Sequence, residues 1–198
     1  MKKTFIFYTF LCLCFIPSIA FAQDQEIRWG GKVGLNLFSI SEDPAIAESD
    51  AAVGSEFGIF GRIGEIIFVQ PELNFVSNKV FLEQRIQNAS INDGVVVRYM
   101  RFPVYLGYRS TYEGVGISHL RFMAGPSFGY ALGVNENALN IKRNDVRNAQ
   151  FAFNGGAGID IWLLSFDLIY HHSFSTFLNH DNAEGKGRSV ALTAGISF

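Results

Sequence analysis

The chain has 198 residues, with 16 basic and 18 acidic side chains and a formal charge of −2. That balance excludes the basic footprint of a nucleic-acid binder, and a charged fraction of 17% is low for a soluble domain, where about 25% is usual. The chain has 20 phenylalanines, yet beyond the first segment it holds no apolar run of about 18 residues, which excludes a spanning helix there and leaves an aromatic-rich sheet.

Residues 1–22 read as an export leader. Lys2 and Lys3 precede an apolar stretch, Pro17 breaks it, and Ala20-Phe21-Ala22 is an A-x-A cleavage site. This is the pattern of a Sec signal peptide, and it leaves 23–198 as the mature domain. Cys12 and Cys14 both lie in the leader, so no disulfide is expected in the mature chain. Leucines precede both cysteines, whereas a lipoprotein needs small residues before a cysteine at the cleavage point.

Eight strands are then predicted from side chains alternating with a period of two. The first, 26–39, puts Ile27, Trp29, Val33, Leu35 and Leu37 on one face and Arg28, Lys32 and Asn36 on the other. A polar loop over 40–52 carries Glu42, Asp43, Glu48 and Asp50. The second strand, 53–62, sends Phe57 and Ile59 outward and Glu56, Phe60 and Arg62 inward, and Ile63-Gly64-Glu65 turns the chain. The third, 66–76, has Ile67, Val69, Pro71, Leu73 and Phe75 outward and Gln70, Glu72 and Asn74 inward. Pro71 cannot donate a ladder hydrogen bond, so a bulge or weak pairing is expected there. A long loop is predicted over 77–94.

The fourth strand, 95–108, is the clearest. Met100, Phe102, Val104, Leu106 and Tyr108 form one file, and Tyr99, Arg101, Pro103, Tyr105 and Gly107 the other. A turn region over 109–116 leads to the fifth, 118–133, with Leu120, Phe122, Ala124, Phe128 and Tyr130 outward and Arg121, Ser127 and Gly129 inward. After a polar loop over 134–148, the sixth strand, 149–160, turns Phe151, Phe153, Ala157 and Ile159 out and Asn154, Gly156, Gly158 and Asp160 in. A tight turn near Trp162 gives a seventh strand to about residue 173, with Phe166, Leu168 and Tyr170 out and Ser165 and Asp167 in. A last loop, 174–188, precedes the eighth strand, where Val190, Leu192, Ala194, Ile196 and Phe198 alternate with small residues.

Strands of this length cross a bilayer obliquely, which takes about 9–11 residues. The expected fold is all-β: an eight-stranded antiparallel up-and-down transmembrane β-barrel with short periplasmic turns and longer extracellular loops. An even strand count brings both termini to the periplasmic side. Trp29, Tyr108, Trp162 and Phe198 then fall together on the outward face at that end, as an aromatic girdle. A soluble sandwich or lipocalin-like barrel would also alternate. Its interior, however, would be apolar, whereas here the inner files carry glycine, serine, asparagine and charge.

The segments FVQPELNF (68–75), YMRFPVYLGYR (99–109), LRFMAGPSFGYALG (120–133), FNGGAGIDIWLLSFDLIYHHS (153–173) and ALTAGISF (191–198) resemble, in this order, the outer-membrane β-barrel family of Bacteroidota described as porin-family or PorT-like. The resemblance covers nearly the whole mature chain, with Gln-Pro-Glu-Leu and the proline of the fourth strand as its most specific parts. It implies an eight-stranded outer-membrane barrel and no single activity; the founding member is tied to protein secretion. Arg101, where an acidic residue is common, and Ile169, where a basic one is common, depart from the pattern.

Four basic side chains, Lys32, Arg62, Arg101 and Arg121, and four acidic ones, Glu56, Glu72, Asp160 and Asp167, face the lumen in this register. An eight-stranded interior is just wide enough for side chains, and charges there must be paired; Glu72 with Arg101 is the expected central pair. A plugged barrel is therefore favoured over a gated conduit. His171-His172-Ser173 with Glu184 resembles the His-x-Ser pair and Glu of outer-membrane lipid A deacylases. By this register, though, His171 and Ser173 face the lumen, away from lipid. His171, His172, His180 and Asp181 match no metal-ligand spacing, and Gly155-Gly156-Ala157-Gly158 is followed by no helix that would make it a phosphate loop. No cofactor or metal is expected. The expected role is a non-enzymatic structural or accessory subunit of an outer-membrane export or assembly system, with a narrow small-solute pore as the alternative and a lipid A-modifying acyl hydrolase as the minor one. Expected partners are outer-membrane lipid and lipopolysaccharide, the barrel-assembly machinery through the C-terminal strand ending at Phe198, and other outer-membrane or periplasmic proteins.

Overall fold

A computed structural model of the protein describes residues 26–40, 48–86, 89–110, 118–135, 142–177 and 185–198. The expected signal peptide, and Glu42, Asp43, His180, Asp181 and Glu184 of the predicted loops, lie outside the described residues. Eight strands form: β1 (Ile27–Ile40), β2 (Glu48–Ile63), β3 (Ile67–Ile86), β4 (Ala89–Arg109), β5 (Ser118–Val134), β6 (Ala149–Ile161), β7 (Leu164–Thr176) and β8 (Lys186–Ser197). Each pairs antiparallel with its chain neighbours, and β1 pairs with β8, for example at Val33↔Ala194, so the sheet closes into a barrel without a free edge.

The alternation in each strand becomes inside and outside. Along β8 every second residue is buried, and Val190, Leu192, Ala194, Ile196 and Phe198 are exposed. The same holds for β4, where Phe102, Val104, Leu106 and Tyr108 face out while Tyr99, Pro103 and Tyr105 are buried. All eight strands expose valine, leucine, isoleucine or phenylalanine on the outer wall. A water-soluble monomer tolerates an apolar patch of only a few hundred Å², so a continuous apolar wall of this kind requires lipid around it.

Both chain ends lie at one rim. The Phe198 amide donates to the Trp29 carbonyl at 2.8 Å and the Trp29 amide to the Phe198 carbonyl at 3.0 Å. The turns from β2 to β3, β4 to β5 and β6 to β7 share this rim, as the Gly64 to Glu26, Arg109 to Ile66 and Ser197 to Leu163 backbone bonds show. Two of these turns need a left-handed backbone, at Gly64 (φ 112°) and at Trp162 (φ 57°).

Three expectations are corrected. First, most of the predicted 77–94 loop is strand. β3 and β4 pair continuously from Ser77↔Arg98 to Ile86↔Ala89 and leave only residues 87–88 between them. The cause is visible in the inward file, where Val76, Asn78, Val80, Val95 and Val97 continue the alternation and are buried. Likewise β1 runs to Ile40 and β2 begins at Glu48, so the 40–52 loop is shorter than predicted. Second, of the two outcomes expected at Pro71, weak pairing is the one found and not a bulge: the register is the same at Pro71↔Val104 and Asn74↔Arg101, but the β4 ladder skips Glu72 and Leu73 and the β2 ladder skips Gln70 and Pro71. The register shifts fall elsewhere, at Ala51/Ser55, Arg98/Tyr99 and His172/Thr176. Third, connection length does not alternate simply: the β3–β4 link, at residues 87–88, is as short as the β6–β7 turn at the other rim, and β3 and β4 instead project as a long hairpin.

Candidate functional site

The lumen holds the charged residues. Lys32, Glu56, Arg62, Glu72, Arg121, Asp160 and Asp167 are all buried inside the barrel, and Arg101 is half-buried there. Near the terminal rim six of the eight, all but Glu56 and Arg101, form one connected chain. Lys32 Nζ meets Glu72 Oε2 at 2.5 Å. Glu72 also accepts from Gln70 Nε2 at 2.7 Å and Asn74 Nδ2 at 2.8 Å. Arg62 donates from Nε to Gln70 Oε1 at 2.7 Å and from Nη1 to Asp160 Oδ2 at 2.9 Å. Arg121 completes the chain, with Nε 2.9 Å from Asp160 Oδ2 and Nη2 2.8 Å from Asp167 Oδ1. Six strands thus contribute to one network that satisfies charges which burial would otherwise penalise by several kcal/mol, roughly, per ion.

Glycine sets this geometry. Lys32 lies opposite Gly58 on β2, and Gly58 lies opposite Asn74 on β3. A Cβ on Gly58 would come within 2.0 Å of Asn74 Oδ1 and 2.5 Å of the Leu73 carbonyl. With no side chain there, Lys32 reaches across β2 to Glu72. The expected Glu72–Arg101 pair is therefore not the one formed. Arg101 stands opposite Asn74 and Gly129, and Glu72 is occupied by three other donors.

A second ion cluster closes the terminal rim, where Glu26 meets Arg28 Nη2 at 2.5 Å and Arg109 Nη2 at 2.6 Å. Burial alone would raise the Glu26 carboxyl, but the two guanidinium groups outweigh it and hold the carboxyl below its ordinary value. The opposite end of the lumen is apolar. Phe38, Ile40, Val76, Val80, Val95, Val97, Tyr99 and Ala131 pack there with Val146 and Phe177 from the β5–β6 and β7–β8 connections. Sequence reasoning missed this cap because four of its ten residues, Ile40, Val80, Val146 and Phe177, fell in segments read as loops. Between cap and network lies a cavity of about 20 Å³ lined by Tyr99, Arg101, His171, Ser173 and Ser189 among others, room for about one water.

The enzyme and metal candidates come apart in space. His171 points inward and its Nδ1 lies 2.7 Å from Asn154 Oδ1. The Ser173 hydroxyl donates to the Ser175 carbonyl at 3.0 Å, so the two do not form a nucleophile–base pair. His172 is on the outer wall, stacked on Tyr170 and edge-on to Phe174, which separates it from His171. Gly155-Gly156-Ala157-Gly158 lies inside β6.

Trp29, Tyr108, Trp162 and Phe198 all sit at the terminal rim and face outward, 64%, 51%, 77% and 60% exposed. The rings of Trp29 and Phe198 are 5.3 Å apart.

Residues 21–179 match the family described as outer membrane protein beta-barrel domain. Among solved structures, the fold is similar to the outer membrane protein OprG from Pseudomonas aeruginosa, with 10% identity, a TM-score of 0.55, and 87% of this chain and 95% of that one covered. It is also similar to Neisserial surface protein A, with 8% identity, a TM-score of 0.52, and 89% and 100% covered. At such identities the likeness concerns the fold. A search of curated proteins returned no match.

Proposed function

The chain belongs to the outer membrane protein β-barrel domain family, and from that premise we propose that it is a non-conducting, non-enzymatic barrel whose work is done on its outer surfaces. The closed lumen carries this reading: an ion network across six strands, with an apolar cap above it. A solute path would need a continuous wet channel, which eight strands rarely leave. The terminal rim, with its aromatic girdle, faces the periplasm in this reading. The opposite end presents the β3–β4 hairpin, where β4 continues from Val97 to Ala89 past its last ladder pair with β5, roughly 25 Å of strand.

The finer role is a structural or accessory subunit of an outer-membrane export or assembly system, in keeping with the PorT-like sequence resemblance. Two measurements test it. Planar-bilayer recordings of the refolded barrel are expected to show no discrete channel; stable unitary conductance would restore the pore reading. Affinity capture of the tagged protein from outer membranes in mild detergent is expected to recover a stoichiometric partner, and recovery of the barrel alone would sink the subunit role.

A further inference from the structure

Each girdle aromatic has a polar or cationic counterpart ten residues away along the same wall. Trp29 leads to Ser39, Trp162 to His172, Tyr108 back to Arg98, and Phe198 back to Arg188. Ten residues at about 3.3 Å rise, tilted by about 40°, span about 25 Å, the height of an outer-membrane barrel's apolar band. Between the markers the outward files are apolar: Leu106, Val104, Phe102 and Met100 on β4, and Ile196, Ala194, Leu192 and Val190 on β8. Arg98 and Arg188 are thus the first charged side chains beyond the band on their strands, and both are exposed.

More positive charge lies at and just beyond this level on the β7–β8 side. Arg188 pairs across the ladders with Ser39 on β1 and His172 on β7. Lys186 is the next outward residue on β8 and pairs with Thr176, whose hydroxyl accepts from Arg147 Nη1 at 2.8 Å. Arg147 and Lys186 are exposed. The terminal rim is different. Its arginines, Arg28 and Arg109, are held by Glu26, and among the described side chains no lysine or arginine points outward there.

We propose that Arg98, Arg147 and Arg188 form a basic collar that binds the phosphate groups of outer-leaflet glycolipid. Charge complementarity selects this occupant. The collar lies where the apolar band ends, at the depth of lipid headgroups, and guanidinium groups grip phosphate oxygens bidentately. The one-sided placement also fits a membrane whose outer leaflet carries the phosphorylated glycolipid. The inference rests on the outer-membrane placement and not on the closed lumen, so a conductance result leaves it untouched. The competing counter-charges are the carboxylates that the sequence places in the neighbouring connections, Asp181 and Glu184 among them.

The test uses the mature barrel in phosphatidylcholine nanodiscs, with lipid A or fully dephosphorylated lipid A titrated in and the bound lipid counted by native mass spectrometry. The variant is Arg98→Gln/Arg147→Gln/Arg188→Gln, three outward side chains outside the lumen network. Its melting temperature in plain phosphatidylcholine nanodiscs, expected to equal that of wild type, shows that the fold is retained. At about fivefold per basic residue near an anionic surface, and with β4 and β8 on opposite sides of the barrel, the triple variant loses about fivefold in apparent affinity for lipid A at the Arg98 side and about 25-fold at the side of Arg147 and Arg188. Dephosphorylated lipid A is expected to bind wild type as weakly as lipid A binds the variant. Equal lipid A binding by variant and wild type, or no effect of removing the phosphates, overturns the collar.

Discussion

Replacing Arg121 by methionine is the sharpest test of the lumen network. The Arg121 side chain is fully buried, with Nε on Asp160 and Nη2 on Asp167 at 2.9 and 2.8 Å. Methionine keeps much of the length and loses the charge. Asp160 still has Arg62, but Asp167 loses the ion pair that neutralises it. Removing one partner of a buried pair leaves an uncompensated charge, which costs about 3–5 kcal/mol. Adding Asp167→Asn removes that stranded charge, so the double variant is expected to recover about 2 kcal/mol relative to additivity, within the range for contacting residues. The assay is urea unfolding of the barrel in lipid vesicles, followed by tryptophan fluorescence. The chain has two tryptophans, and Trp29 and Trp162 report from the same rim, outside the network. A loss below about 1 kcal/mol for Arg121→Met, or a cycle additive to within about 0.5 kcal/mol, would refute the claim that these ions are mutually dependent.

Other predictions follow from the same geometry. Gly158→Ala places a Cβ 2.1 Å from Asp167 Oδ1 and 2.8 Å from the Phe166 carbonyl; the backbone cannot yield, so folding yield on heat-modifiable gel mobility drops sharply. Gly61→Ala meets nothing within 4 Å and is expected to be neutral or stabilising by up to about 1 kcal/mol in the same urea assay, through a less flexible unfolded chain. Lys32→Met strands Glu72 with only neutral donors, so it destabilises by roughly 3–5 kcal/mol, while Lys32→Met/Glu72→Gln regains much of that loss. For pH, Glu26 is held below its ordinary value of 4.5. Its contribution is therefore fully present above pH 4.5 and disappears as pH falls through the lower folded-state value. Trp29 fluorescence is expected to report a rim transition in that acid window, and Glu26→Gln is expected to abolish it.

The period-two alternation by itself determined that the chain is an eight-stranded membrane barrel, which side chains line the lumen, and which aromatics share a rim. A strand offers a side chain only two directions, so parity along β1, β4 or β8 is enough to separate lipid from lumen. Parity alone would also have placed Val80 in the apolar cap beside Val76, Val95 and Val97 of the predicted strands, but the polar residues around it made 77–94 read as a loop, and pairing between β3 and β4 had to decide otherwise. The tertiary structure alone decided who meets whom inside. Lys32 finds Glu72 because barrel closure and the bare Gly58 between them bring β1 within reach of β3. Asp160 bridges Arg62 and Arg121 because β6 is the ladder neighbour of β5 and faces β2 across a narrow lumen. Such partners are set by strand stagger and curvature around the closed sheet, which no local pattern in the sequence encodes.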